Sequence, residues 1–242
     1  MPNHIICISG PEGVGKDTLL RPMLDLFPEL TVGRKVTTRE RRDDDYDAKL
    51  GRDKYDYTSE DEFMWLRSTG QIVEHSRNAN GCLYGSQIDA DSDGVELRDI
   101  DVTGALQLVA KSRLQTDFPE VTLIGILPPH GTGMSVQEMR YVLSQAAEGT
   151  LVELPVANIG VTGIIAEMLL NLEARLVRRG DSTDLREQKL ERARWEVPEI
   201  IRAWPHVVVN DSLDLALAEM SFIIGGVLAE ACDCARFRAC SG

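Results

Sequence analysis

The chain opens on an unbroken apolar run, Ile5-Ile6-Cys7-Ile8 inside His4 to Ser9, which predicts a buried strand. It passes at once into Gly10-Pro11-Glu12-Gly13-Val14-Gly15-Lys16. From about Asp17 to Phe27, apolar Leu19, Leu20, Met23, Leu24 and Phe27 then recur at helical spacing. Strand, glycine turn and helix together make half of a βαβ unit. Thr31 to Tyr57 is polar and charged. Ser59 to Ser68 reads as a helix, with Ser59 as N-cap, Glu62 three residues on, and Phe63 and Leu66 toward a core. Gly70 stops it, Gln71 to His75 reads as a strand, and Asn78-Ala79-Asn80-Gly81 is turn chemistry. Further on, Val95 to Asp101, Val121 to Leu127 and Val207 to Val209 predict strands. Gly104 to Arg113, Ser135 to Ala147, Thr162 to Arg179, Asp184 to Trp195 and Leu213 to Ala231 predict helices. Strands alternating with helices imply an α/β fold whose mostly parallel sheet is covered on both faces.

Composition narrows the function classes. With 242 residues, one large domain or two small ones are allowed. Lys plus Arg number 26 against 39 Asp plus Glu, a formal charge of −13, which argues against coating nucleic acid or an anionic membrane by bulk charge. The N-terminal apolar run lacks a basic flank and a cleavage site, and no stretch approaches a membrane span; Val156 to Leu170 is broken by polar residues and glycine. The expectation is a cytoplasmic protein with reduced bystander thiols. Cys232, Cys234 and Cys240 cluster near the tail, but the nearest His is His206, so a metal site there lacks an obvious fourth ligand.

Gly10-x-x-Gly13-x-Gly15-Lys16 has the spacing of a loop that cradles phosphate. The glycines let backbone N–H groups converge on an anion, the helix N-terminus adds partial positive charge, and Lys16 reaches outer phosphates as a point charge. Ser or Thr should follow the Lys to bind the Mg²⁺ that accompanies a nucleotide; here Asp17 follows, then Thr18. A carboxylate either replaces the hydroxyl as ligand or holds a coordinating water.

The remaining motifs carry a resemblance. The loop, then Thr37-Thr38-Arg39 with Arg42, Tyr55, Glu74, Tyr84-Gly85-Ser86, Asp99-Ile100-Asp101 with Gly104-Ala105, and Pro128-Pro129 appear in order. Leu172-x-x-Arg175-Leu176-x-x-Arg179-Gly180 and Val207-Val208-Val209-Asn210-Asp211 follow. In this order, from Ile5 to about Ile224, the chain resembles guanylate kinase. The resemblance implies a three-layer P-loop kinase: a parallel core (1–30, 95–129 and 205–232), an acceptor-binding lobe (31–93) and a lid (172–189) that closes on substrate. It implies transfer of the ATP γ-phosphoryl group to GMP or dGMP with Mg²⁺. Gly10, Glu12, Gly13, Val14, Gly15, Lys16, Asp17 and Thr18 would hold ATP phosphates, with Asn210 near adenine. Arg39, Arg42 and Tyr55 would grip the acceptor phosphate, with Tyr84. Lys35, Glu74, Ser86 and Asp99 would line the base pocket. Lys16, Arg39, Arg175 and Arg179 would be the catalytic cations, and Asp17, Thr18 and Asp101 the metal ligands. Arginine forks suit phosphate, and a carboxylate suits the N1–H and N2–H donors of guanine.

The chain departs from the family in several places. Lys35 stands where the family carries Ser; as a donor only, it would bond guanine O6 or an additional anionic group. Between Ser86 and Asp99 the segment is short and rich in Asp (Asp89, Asp91, Asp93), so a helix there is expected to reduce to a loop. Residues 130–168 look like an insertion that would either extend the lid or build a homodimer contact. Lys189 replaces a usual Arg. Gly-Lys-Asp and Asn78 to Gly81 also resemble ribose bisphosphate phosphokinases; a kinase of modified or deoxy nucleoside monophosphates is another alternative within the same chemistry, and a silent binding module of the same fold is a further one. The intact Gly13, Gly15 and Lys16 weigh against the module.

Overall fold

The computed structural model describes residues 2–47, 51–78, 80–88, 94–147 and 161–240, with side chains except at 44, 145–147, 161–162 and 232–240. In chain order, strands β1 (His4–Ser9), β2 (Thr31–Val32), β3 (Arg34–Thr37), β4 (Tyr46–Asp47), β5 (Arg52–Asp53) and β6 (Asp56–Tyr57) come first, with helix α1 (Lys16–Leu26) after β1. Then follow α2 (Glu60–Ser68), β7 (Glu74–Arg77), β8 (Leu83–Gln87), β9 (Val95–Asp99), α3 (Val102–Leu114) and β10 (Glu120–Leu127). Helices α4 (Val136–Ala147), α5 (Val161–Arg179) and α6 (Thr183–Ala203), strand β11 (His206–Val209) and α7 (Leu213–Cys240) complete it. The core sheet has the order β11-β10-β1-β9-β2. The chain forms two compact units: Met1–Cys7, Phe27–Thr122 and Gly225–Gly242 in one, Ile8–Leu26 and Leu123–Ile224 in the other. The start of β1 belongs to the first unit and its end to the second.

In the first unit β2 pairs with β9 in parallel, Thr31 opposite Glu96. A second sheet, order β6-β3-β8-β7, is largely antiparallel. Its register sets its chemistry. Lys35 lies opposite Ser86, and Ser86 opposite Glu74, so these three share one face. Val36 and Leu83 belong to the other face, where they pack with Phe63 of α2 and Ile72. The Phe63 ring sits so close over Gly85 that a Cβ there would lie 3.0 Å from its Cζ. Helix α2 starts as its sequence predicts, Ser59 Oγ accepting from the Glu62 N–H at 3.1 Å.

In the second unit β10 pairs with β11 in parallel, from Ile124 opposite His206 to Leu127 opposite Val209. Helix α6 lies directly on β10: Trp204 and Ile200 pack over Gly125. Helices α4, α5 and α6 pack on one another, and Arg140 of α4 donates to the Ile201 carbonyl at 2.6 Å and to that of Trp204. The described part of the 130–168 insertion is therefore docked against α6 within its own unit.

The antiparallel sheet is the main departure from the expected layout. Its strands run two to five residues and are polar on one face, so no apolar run or clean alternation announces them. The strand expected at Gln71 to His75 begins at Glu74, because the N–H groups of Gln71 and Ile72 still bond to the Leu66 carbonyl at the end of α2. Helix α6 continues past Trp195 through Pro198 to Ala203, carried by the buried stripe Ala193, Val197, Ile200 and Ile201. The Asp-rich segment 89–93 and the tail cysteines lie outside the described residues or side chains. Among the described residues no helix is long and apolar enough to cross a membrane. Replacing Phe63 by Ala should cost about 3–5 kcal/mol, read as a lower midpoint in chemical denaturation.

Candidate active site

The phosphate loop belongs to the second unit. Gly13 and Gly15 take φ of +90° and +101°, left-handed values that side-chain-bearing residues rarely adopt. Space enforces the same choice: a Cβ on Gly13 would come within 2.6 Å of Leu176 Cδ2, and one on Gly15 within 2.6 Å of Asn210 Nδ2. Gly10 is pressed against the Ile126 carbonyl. The Lys16 ammonium arches back over the loop and donates to the Gly10 and Pro11 carbonyls at 2.8 and 3.3 Å. Asp17 and Thr18 are exposed at the start of α1.

Several elements grip this loop from outside. Arg175 of α5 donates to the Val14 carbonyl at 2.8 Å and to the Asn210 carbonyl at 2.7 Å, and Asn210 Nδ2 donates to the same Val14 carbonyl at 2.8 Å. Lys189 of α6, buried, pairs with Asp181 at 2.8 Å and with Glu12 at 3.3 Å. Arg179 is exposed, with Nε 4.0 Å from Asp181. Of the two arginines expected in a lid, one is therefore anchored into the loop and the other faces solvent.

The first unit gathers the remaining candidates. Thr37 and Thr38 stitch the end of β3 to β8: Thr37 Oγ1 donates to the Leu83 carbonyl, and the Leu83 N–H donates to Thr38 Oγ1, each at 2.9 Å. The chain leaves this stitch directly into Arg39, whose guanidinium forks onto Asp45 at 2.6 and 2.5 Å and lies 4.9 Å from the Tyr55 ring centre. The Arg42 N–H donates to the same carboxylate at 2.7 Å, and the Arg42 side chain is exposed. Tyr55 meets Tyr84 edge-on at 5.7 Å, and Lys35 lies 4.8 Å from the Tyr55 ring centre and 3.8 Å from Asp99. Ser86 Oγ donates to Glu74. Glu74 is buried against Gly104 of α3. Its carboxyl is pushed up to about 7, chiefly by burial; Asp101 adds to the rise, while Ser86, Arg98 and Lys35 oppose it. Asp101 itself caps α3, accepting from the Gly104 N–H at 2.7 Å.

A guanylate kinase family model matches residues 2–148. Curated guanylate kinases of Syntrophotalea carbinolica and Rhizobium meliloti are 30% and 29% identical; the matches cover 98% and 91% of this chain, and 91% and 81% of theirs. The chain belongs to the guanylate kinase family. Members of that family are nucleoside monophosphate kinases and use ATP. The crystal structure of guanylate kinase from Anaplasma phagocytophilum is similar with a TM-score of 0.52 at 20% identity, over 93% of this chain and 85% of that one, which shows a shared P-loop kinase fold. None of these relatives favours a ribose bisphosphate acceptor. The family model ends before Arg175, Arg179, Lys189 and Asn210.

Two features of the acceptor side escape a reading of the sequence. Asp45 looks like one member of an exposed acidic triplet, yet it is buried and holds Arg39. Its only signal was its distance from Arg39 and Arg42. Glu96 and Arg98, alternating with Val95 and Leu97 in β9, form a buried pair, Arg98 also donating to the Gln87 carbonyl at 2.8 Å.

The Arg39 fork holds Asp45 well below its ordinary carboxylate value. A group depressed in this way stabilises the fold above its unfolded pKa, and that contribution is lost as pH falls through the acid range. Asp45→Ala should therefore cost about 1.5–3 kcal/mol at pH 7 by urea denaturation. Below about pH 4 its stability should fall less steeply than that of the wild type.

Proposed function

We propose that this chain transfers the γ-phosphoryl group of ATP to GMP, giving ADP and GDP. The observation that carries the reading is the row Lys35, Ser86, Glu74 on three neighbouring strands. A fixed ammonium at one end and a buried carboxylate at the other match the edge of guanine, whose O6 accepts while N1–H and N2–H donate. Adenine presents a donor where Lys35 stands and lacks the N2–H that Glu74 would bind. Ser86 orients Glu74, and Asp99 with Tyr55 holds Lys35.

The other residues serve phosphate. Arg39, set by Asp45, with Arg42, Tyr55 and Tyr84, binds the acceptor phosphate; the glycine loop and Lys16 bind the donor's. An acceptor phosphate oxygen attacks the γ-phosphorus, and the bond to the bridging oxygen of ADP breaks. Such a transfer needs positioning and charge neutralisation, with little covalent work from the protein. Arg179, exposed at the end of α5, is the lid cation for the transferring group. The exposed carboxylate of Asp17 and hydroxyl of Thr18 in the first turn of α1 are hard oxygen donors that suit Mg²⁺. When bound there, the ion neutralises charge on the donor phosphates. Asp101, committed to capping α3, serves the fold first.

ADP release from ATP with GMP supplied tests the reading directly. Lys16→Ala should lower kcat/KM by about 10²-fold or more; a folded variant with wild-type turnover would remove the loop from the chemistry. The base pocket has its own signature. A protonated Glu74 cannot accept from both guanine donors, so the GMP KM should fall roughly tenfold as pH rises from about 6 to 8. The GMP phosphate titrates in the same range, so the decisive comparison is with Glu74→Gln. That variant should lose the Glu74 part of the profile and relax the preference for GMP over AMP.

A further inference from the structure

Arg175 raises a question that the proposed chemistry does not answer. Its sequence position makes it a lid cation, but its guanidinium is turned into the protein, between two backbone carbonyls. One of them, Val14 O, also accepts from Asn210 Nδ2. In a trans peptide the C=O and the next residue's N–H point in opposite directions. Holding the Val14 carbonyl outward therefore fixes the direction of the Gly15 N–H. Gly15, on one side of this peptide, sits at a left-handed φ and its backbone rotates easily, so on that side little local resistance keeps the peptide from turning over. A turned peptide would present a carbonyl oxygen to an anion.

We propose that Arg175 is a positioning residue: with Asn210 it clamps the Val14 carbonyl away from the bound polyphosphate and so aims the Gly15 N–H at it. The neighbouring packing serves the same end. Leu176, next in α5, closes on Gly13, and Asn210 Nδ2 fills the space beside Gly15. Residues from the end of β11 and from α5 thus dictate the conformation of a loop far away in sequence. The assignment rests on the reading of this loop as the ATP site.

The test uses the full chain with Arg175→Ala, Arg175→Lys, Asn210→Ala and the Arg175→Ala/Asn210→Ala double variant. ATP binding is measured by calorimetry, and ATP KM, GMP KM and kcat by ADP release. Arg175→Ala should weaken ATP about 10- to 100-fold, with GMP KM unchanged and kcat at saturating ATP within about threefold. Arg175→Lys should not rescue it, because one ammonium lacks the fork that spans two carbonyls. The double variant should lose less than the product of the single losses, since both side chains hold one oxygen. A merely structural role would lower thermal stability and disturb both substrates alike. Unaltered ATP binding in folded Arg175→Ala, or kcat reduced about 10²-fold with ATP binding intact, overturns the inference. Should Arg175→Ala fail to fold, Arg175→Lys and Asn210→Ala carry the same comparison. If the wild type itself binds no ATP, the reading of the loop fails instead.

Discussion

A peptide unit carries a donor and an acceptor at opposite ends, so a loop can turn several N–H groups toward a phosphate only if the matching carbonyls are held elsewhere. This constraint organises the donor half of the protein. The glycines of residues 10–15 give the backbone its freedom, and α5, α6 and the end of β11 then remove that freedom. Arg175 and Asn210 fix Val14, Leu176 closes on Gly13, and Lys189 ties Glu12. Preorganisation of this kind lets fixed dipoles act on an anion without reorienting at the moment of reaction.

The acceptor half solves a different electrostatic problem. A carboxylate that is to read guanine, as we propose for Glu74, must be dry enough to discriminate and charged enough to accept. Burial alone would keep Glu74 protonated; Ser86, Arg98 and Lys35 pull the other way and leave it near neutrality. The Glu96–Arg98 pair therefore belongs to the electrostatics of Glu74 as well as to the core, Arg98 also reaching the Gln87 carbonyl at the end of β8. Arg39 shows the complementary device. Asp45 supplies both the geometry and the countercharge for a guanidinium that would otherwise sample many rotamers.

Much of the core and the identity of the chemistry were legible in the chain. The apolar run Ile5 to Ile8, the glycine loop and the spaced apolar positions of α1, α5 and α7 report local periodicity, which sequence carries directly. The Ser59 cap reports it too. The antiparallel sheet was hidden because its short strands are defined by partners rather than by their own pattern. Asp45 was hidden because an acidic triplet reads as solvated surface until Arg39 folds over one member of it.

What the sequence determined alone was the inventory: a phosphate loop of the right glycines, a cationic and acidic set for an acceptor, and the order of elements that places the chain in its family. What tertiary structure decided was direction. The register of β3, β8 and β7 puts Lys35, Ser86 and Glu74 in one row, and the turn of Arg175 inward makes a residue expected in a lid a clamp on Val14. Spacing along a chain fixes which groups are near in sequence. Only hydrogen bonds and packing between distant segments fix which way a carbonyl, a carboxylate or a guanidinium points.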